Sequence, residues 1–249
     1  MPRSITYSVV DSTQEVALRL AREGAPHGTS VSAETQLLGR GREGRAWASP
    51  KGGLYASVVL RPEASAFPLL SLSAGLELRE LLAERAPKAK VMIKWPNDLL
   101  LVPRDAPGSA RKVGGVLTDI ITRPGITTVA VVGVGLNVDV AVSDLPPDLQ
   151  GQVASLREFT PGPVSVRDLQ EPVLHAVVRA CQRVSTSEGR ASLPQAVAKH
   201  LFGVGSPVAL EGARGTFRGV GPGGEALVEP EGGGPPRALH AGELKIEVP

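Results

Sequence analysis

Residues 39–47 interleave three glycines with three arginines: Gly39-Arg40-Gly41-Arg42-Glu43-Gly44-Arg45-Ala46-Trp47. Glycine lets a backbone fold closely over a ligand, and each guanidinium can make paired hydrogen bonds to phosphate. The segment is therefore equipped to grip a polyanion. Its glycines also satisfy the G-x-G-x-x-G spacing of dinucleotide-binding folds, but that motif needs a helix to begin within the loop. The following Ala46-Trp47-Ala48-Ser49-Pro50-Lys51-Gly52-Gly53 cannot continue one, and no Gly-Lys-Ser/Thr closes the run as in a P-loop. From spacing alone, a mobile basic surface loop stays open as the alternative.

Other residues carry weaker signals. Lys112 precedes Gly114 and Gly115 in an otherwise β-branched stretch, and Gly133 and Gly135 interrupt a second one. Glycine weakens a strand and is tolerated where a ligand or another backbone comes close, or where the strand bulges. Ser12 and Glu15 have capping-box spacing, which gives Ser12 a structural task at a helix start. Trp47 and Trp95 could pack against a flat ligand or belong to the core, and Trp95, beside Pro96, reads as core.

These residues need elements to hold them. A short strand over 5–10 leads into a helix capped at Ser12 and stopped by Gly24 and Pro26. Strands follow at 29–36 and 54–60, then the clearest helix, 69–86, with Leu72, Leu76 and Leu82 on one face and Pro87 at its end. Further strands read at 91–93, 99–102, 113–121 and 127–138, and helices at 166–184 and 193–202. The later strands look hairpin-connected. The fold class is α+β, a mixed sheet with helices mainly on one side, over residues 1–202. From residue 203, Gly and Pro punctuate short segments at 207–210, 215–220, 226–229, 239 and 245–248, which predicts a small β-barrel over 203–249.

Composition narrows the class. At 42% hydrophobic, 21% charged and a net charge of +2, the 249-residue chain reads as an ordinary globular protein, and the charge is too small to imply nucleic acid. The single cysteine, Cys181, excludes an internal disulfide framework and a multi-cysteine zinc site, and it reads as a small core residue. The first residues lack the apolar core of a secretory signal, and no run approaches the ~20 apolar residues of a membrane span. A cytoplasmic location is the expectation.

Taken in order, six blocks resemble the biotin protein ligase family. They are Asp11-Ser12-Thr13-Gln14; Glu34-Thr35-Gln36 with the arginine loop; Ser49-Pro50-Lys51-Gly52-Gly53-Leu54-Tyr55; Lys94-Trp95-Pro96-Asn97-Asp98; Arg111-Lys112-Val113-Gly114-Gly115-Val116-Leu117; and Gly133-Val134-Gly135-Leu136-Asn137-Val138. The resemblance spans about Asp11 to the C-terminus and weakens in the helical region after residue 160. It implies a class II synthetase-like catalytic domain with a C-terminal SH3-like barrel. The implied activity is ATP-dependent ligation of biotin to a lysine of a biotin carboxyl carrier protein, that of acetyl-CoA carboxylase, through biotinyl-AMP.

The resemblance also implies roles for residues. Lys112, Arg40 and Arg42 would be catalytic. Ser12, Thr13, Gln14, Gln36, Arg40, Gly41, Arg42, Lys112, Gly114, Gly115, Gly133 and Gly135 would meet biotin. Arg42, Arg45, Trp47, Asn97, Lys112 and Asn137 would meet ATP, with Mg²⁺ carried on the phosphates and no dedicated protein ligands. Asp98 would be an outer partner, and residues 144–156 resemble the family's adenosine-covering loop. Gln14 stands where relatives often carry Asn, and Glu43 puts a negative charge among the arginines. Some members carry an N-terminal helix-turn-helix domain. The early Asp11-Ser12-Thr13 block predicts a ligase without one, hence no DNA partner. No membrane partner is expected, and a homodimer follows from the family habit of pairing through a sheet edge. A lipoate ligase is the nearest rival, and a non-catalytic binding module the alternative from another class.

Overall fold

A computed structural model describes residues 3–123, 126–210, 213–242 and 244–246. In chain order its elements are β1 (Ser4–Val10), α1 (Thr13–Arg22), β2 (Ser30–Gln36), β3 (Gly53–Leu60), α2 (Leu70–Ala83), β4 (Ala89–Lys94), β5 (Asp98–Pro103), β6 (Arg111–Arg123), β7 (Ile126–Asn137), α3 (Pro147–Gln150), α4 (Val166–Ser185) and α5 (Ser187–Ala198). There follow β8 (Pro207–Leu210), β9 (Ala213–Val220), β10 (Ala226–Pro230), β11 (Arg237–Leu239) and β12 (Lys245–Ile246). Residues 247–248 of the last expected strand lie outside the described residues.

Seven strands form one mixed sheet in the order β1-β2-β3-β7-β6-β5-β4. Only β1 and β2 run parallel, because α1 carries the chain between them; the remaining neighbours are antiparallel. Side chains alternate across a strand, so β3 and β7 serve two faces. Leu54, Ala56, Val58 and Leu60 join Ala130, Val132, Val134 and Leu136 in the main core under α2 and α4. Val59, Val129 and Val131 face the other way, against Ala17, Leu18 and Ala21 of α1.

Helix α1 begins as its capping box requires, with extended backbone at Ser12 and its hydroxyl accepting from the Glu15 N–H. Helix α2 is buried nearly all round rather than on one face, since α4 covers its far side. There Ser73 Oγ donates to the Ala180 carbonyl, and Arg179 and Arg183 both bond buried Glu77. Helix α5 starts six residues before the expected Leu193, because the Thr186 hydroxyl accepts from the Gly189 N–H and caps it there. It ends at Ala198, before the expected Phe202, and residues 200–202 instead pair with Ile93 along the outer edge of β4.

The C-terminal strands form an antiparallel sheet in the order β11-β10-β9-β8-β12, consistent with a small SH3-like unit. Its Val208, Phe217, Ala226, Val228 and Leu244 continue the main core, and buried Trp95 donates from Nε1 to the Gly224 carbonyl at 2.8 Å. Trp95 is core, as its neighbour Pro96 suggested. No helix among the described residues is long and apolar enough to cross a membrane.

Candidate active site

On the α1 face of the sheet, at the N-terminus of that helix, lies a cavity of about 600 Å³. Its floor is the stretch where β6 and β7 carry glycine, bordered on β3 by Ser57. Gly115 pairs with Gly135, and Gly133 lies between Leu117 and Ser57. Ser12, Thr13, Gln14, Gln36, Arg40, Gly41, Arg42, Arg45, Trp47, Asn97, Lys112, Gly115, Gly133, Gly135 and Asn137 all line it. Gly114 does not. It points to the opposite face, where a Cβ would lie 2.4 Å from Leu136 Cδ2 and 2.7 Å from the Gly135 carbonyl oxygen. Gly114 is required for close strand packing, so its expected place in the ligand floor is corrected.

One end of the cavity is polar and uncharged at its surface. The Gln36 carbonyl oxygen accepts from the Thr13 N–H at 2.8 Å, and its amide donates to Ser49 Oγ at 2.9 Å. Thr13 Oγ1 lies 3.0 Å from Ser57 Oγ, which donates to Gln14 Oε1 at 2.9 Å. Gln14 spends its own amide protons on Asp119 at 3.0 Å and the Val131 carbonyl at 3.1 Å. Ser57 and Asp119 escaped sequence reasoning. Ser57 is the one serine in an apolar strand and Asp119 the one charge between Lys112 and Arg123, but neither pattern shows what the side chain meets.

At the middle stands Lys112. Its Nζ is 2.7 Å from Asp98 Oδ1 and 5.0 Å from the centre of the Trp47 ring, a cation–π contact. Asp98, expected only as an outer partner, meets the lysine directly. A Cβ on Gly115 would lie 3.3 Å from that carboxylate and 3.6 Å from Lys112 Cε, and one on Gly135 would strike the Trp47 indole at 2.6 Å. The two glycines thus make room for the lysine and the tryptophan. Trp47 Nε1 is buried and has no hydrogen-bond partner among the described residues.

The arginine loop closes one wall. Arg40 bridges to Ala46 across it and pairs with Glu15 of α1. Arg42 donates to Asn97 Oδ1 and to the Gly242 carbonyl, each at 3.3 Å, so the C-terminal unit touches the loop. Glu43, in left-handed conformation at φ 56°, accepts from Arg45 at 3.3 Å and lies 3.7 Å from Arg42. Glu43 is therefore the counter-charge that lets two guanidinium groups share a short loop.

A second wall is the segment after β7, against which Ala48 packs. Val153 bridges to Lys112, with the Lys112 N–H donating to the Gln152 carbonyl and the Ala154 N–H to the Lys112 carbonyl. Val140, Leu145 and Val153 give this segment its own small core, and Asn137 Nδ2 donates to the Ala154 carbonyl. Phe202 and Ile246 add apolar surface from the C-terminal side. A neutral polar end, a central ammonium and a wall of guanidinium groups form an anion-joining site: two negative reactants can meet there under preorganised positive charge.

Comparison with known proteins agrees with that chemistry. Residues 6–137, over half of the chain, match the biotin/lipoate A/B protein ligase family. The bifunctional ligase/repressor BirA of Bacillus subtilis is 34% identical over 157 residues, covering 62% of this chain and 46% of that protein. The biotin–[acetyl-CoA-carboxylase] ligase of Paracoccus denitrificans is 40% identical over 131 residues, covering 51% of each. The matched region thus spans about half the length of these two curated relatives. Among solved structures, the biotin protein ligase of Aquifex aeolicus in complex with biotin and ATP superposes with a TM-score of 0.76 at 26% identity, covering 99% of both chains. Sequence pattern, relatives and architecture lead to the same assignment: the chain belongs to the biotin/lipoate A/B protein ligase family.

Proposed function

We propose that this protein is an ATP-dependent biotin protein ligase. A biotin carboxylate oxygen attacks the α-phosphorus of ATP and the bond to the β-phosphate oxygen breaks, giving biotinyl-AMP and pyrophosphate. A carrier lysine then attacks the acyl carbon, AMP departs with the bonding electron pair, and the attacking nitrogen loses a proton. The observation that carries this reading is the gathering of three kinds of group in one cavity. Neutral hydrogen-bonding residues, the Lys112 ammonium and the arginine loop all line it.

Each residue has a task in that cavity. Ser12, Thr13 and Gln36 match a ureido group, which offers one carbonyl acceptor and two N–H donors. Gly115, Gly133 and Gly135 leave space for a flat bicyclic ring. Lys112 exchanges Asp98 for the biotin carboxylate and the α-phosphate as negative charge gathers between them. Arg40, Gly41, Arg42 and Arg45 close over the anions and keep water from the mixed anhydride. Trp47, Asn97 and Asn137 face the nucleotide. Mg²⁺ carried on the ATP phosphates would supply charge neutralisation, and Asn97 and Asp98, which line the cavity, would be the protein oxygens to hold it.

The rest of the reading is proposed with it. Residues 1–202 act as the catalytic domain and 203–249 as an SH3-like unit. The acceptor is the biotin carboxyl carrier protein of acetyl-CoA carboxylase. The protein works in the cytoplasm as a homodimer, without DNA or membrane partners. The test is intact-mass analysis of an apo carrier domain after incubation with the protein, ATP, Mg²⁺ and either biotin or lipoate. A single biotin mass gain supports the reading. Modification by lipoate moves the chain to the sister activity, and no modification with no pyrophosphate released overturns the ligase assignment.

A further inference from the structure

We infer that Asp119, which does not line the cavity, is a positioning residue that fixes which partner donates in the biotin-binding end of the site. The inference rests on the ligase reading and deepens it.

Thr13, Ser57, Gln14 and Asp119, all buried or half-buried, form a chain of hydrogen bonds. The Asp119 carboxylate and the Val131 carbonyl can only accept, and Gln14 Nε2 lies 3.0 Å and 3.1 Å from them. Both amide protons of Gln14 are thereby committed, and its Oε1 must face Ser57. Ser57, fully buried, has one proton and gives it to that oxygen at 2.9 Å. The 3.0 Å contact between Thr13 and Ser57 can then exist only if Thr13 donates. Thr13 Oγ1 also donates toward Gln36 Oε1 at 3.1 Å, so its one proton is divided between two acceptors, Ser57 Oγ and Gln36 Oε1, and its oxygen keeps its lone pairs with either.

Protons thus run one way, from Thr13 through Ser57 and Gln14 to the carboxylate. A charged terminus strengthens such a chain along its length. The result at the cavity is a Thr13 oxygen presenting lone pairs, which suits a ureido N–H and opposes a carbonyl. Gln14 is needed for this reach. Its Oε1 already occupies the space above Gly133, where a Cβ would come within 2.5 Å of it. Gln14 was expected to contact biotin, and in this arrangement it has no free donor to offer.

Steady-state kinetics of the full chain, with pyrophosphate release as readout, tests the inference. Asp119→Asn keeps the shape but removes the charge and leaves the Val131 carbonyl as the one obligatory acceptor orienting Gln14, so KM for biotin rises about ten-fold while KM for ATP stays within about two-fold. Gln14→Asn, too short to bridge Ser57 and Asp119, shows the same split. Biotin KM unchanged in both variants, or biotin and ATP constants rising together, overturns the inference while wild-type activity leaves the ligase reading intact. A wild-type chain that releases no pyrophosphate with biotin overturns both.

Discussion

The Lys112 ammonium is held 2.7 Å from the Asp98 carboxylate by two antiparallel strands, β5 and β6, whose pairing shifts register between Leu99 and Leu100. The lysine is thus anchored in the cavity, with its ammonium between the Asp98 carboxylate and the Trp47 ring. Lys112→Ala should lower kcat/KM for pyrophosphate release by about 10²–10³-fold, the scale of losing one preorganised charge. Lys112→Arg should not restore it, because a planar fork cannot occupy the place of a compact ammonium. Asp98→Ala should cost about ten-fold, as the lysine loses its anchor and keeps its charge. Equal rates in Asp98→Ala and wild type would remove the carboxylate from the argument.

Gly135→Ala probes the floor. Its new methyl would meet the Trp47 indole at 2.6 Å, so the ring must leave its place beside Lys112. Displacement of about 1 Å at a reacting centre can cost ~10²-fold, and activity should fall on that scale. Trp47 lies in the half-buried arginine loop rather than the core, so the melting temperature should change little. A large loss of stability with normal activity in the surviving protein would contradict this placement.

Glu77 tests the joint between α2 and α4. Its carboxylate is 7% exposed and receives Arg179 at 3.0 Å and Arg183 at 2.8 Å. Removing the shared partner from a buried pair is costly, but both arginines keep access to water, so Glu77→Ala should cost about 2 kcal/mol. That corresponds to a fall of about 4–8 °C in Tm for a chain of this size. Arg179→Ala should cost much less, since Arg183 still satisfies the carboxylate. Calorimetry of the three proteins checks the order.

Acid should weaken the fold through His27. Burial, then the neighbouring Arg61 charge, holds its pKa below the ordinary 6.5, and its Nδ1 accepts from the Arg61 N–H. The neutral form is the folded form, whereas the unfolded chain takes up a proton near 6.5. The contribution is therefore complete above that value and is lost as pH falls from it toward the lowered folded pKa. His200 shifts in the same direction, led by burial. The Tm of wild type should drop between about pH 7.5 and about pH 5.5, and His27→Gln should flatten that slope.

The cavity's lining was largely readable in the chain, because the residues that form it come in tight local blocks: the arginine loop, Lys112 with Gly115, and Gly133 with Gly135. Partners contributed by a distant strand were not. Asp119 reaches Gln14 across 105 positions and Ser57 reaches it across 43, and neither distance leaves a periodic mark. Gly114 was misread because an adjacent glycine pair conceals which member faces which side until the strand register is known. The α5 start was missed since Gly189 and Pro194 both signal breaks, while the cap at Thr186 and the buried Leu193 and Val197 override them. For α2, the one-sided pattern hid the fact that α4 would cover the rest.

The alternation of β3 and β7 between core and cavity restricts how this floor can change over evolutionary time. Single replacements at Gly133 or Gly135 reshape the binding surface and leave Val132, Val134 and Leu136 in the core. Gain or loss of one residue in β7 would do something else: the valines would swing into the cavity and the glycines would leave holes beneath α2 and α4. A lineage exploring new ligands on this sheet must therefore do so by substitution within strands of fixed length, and leave insertions to the loops that form the walls.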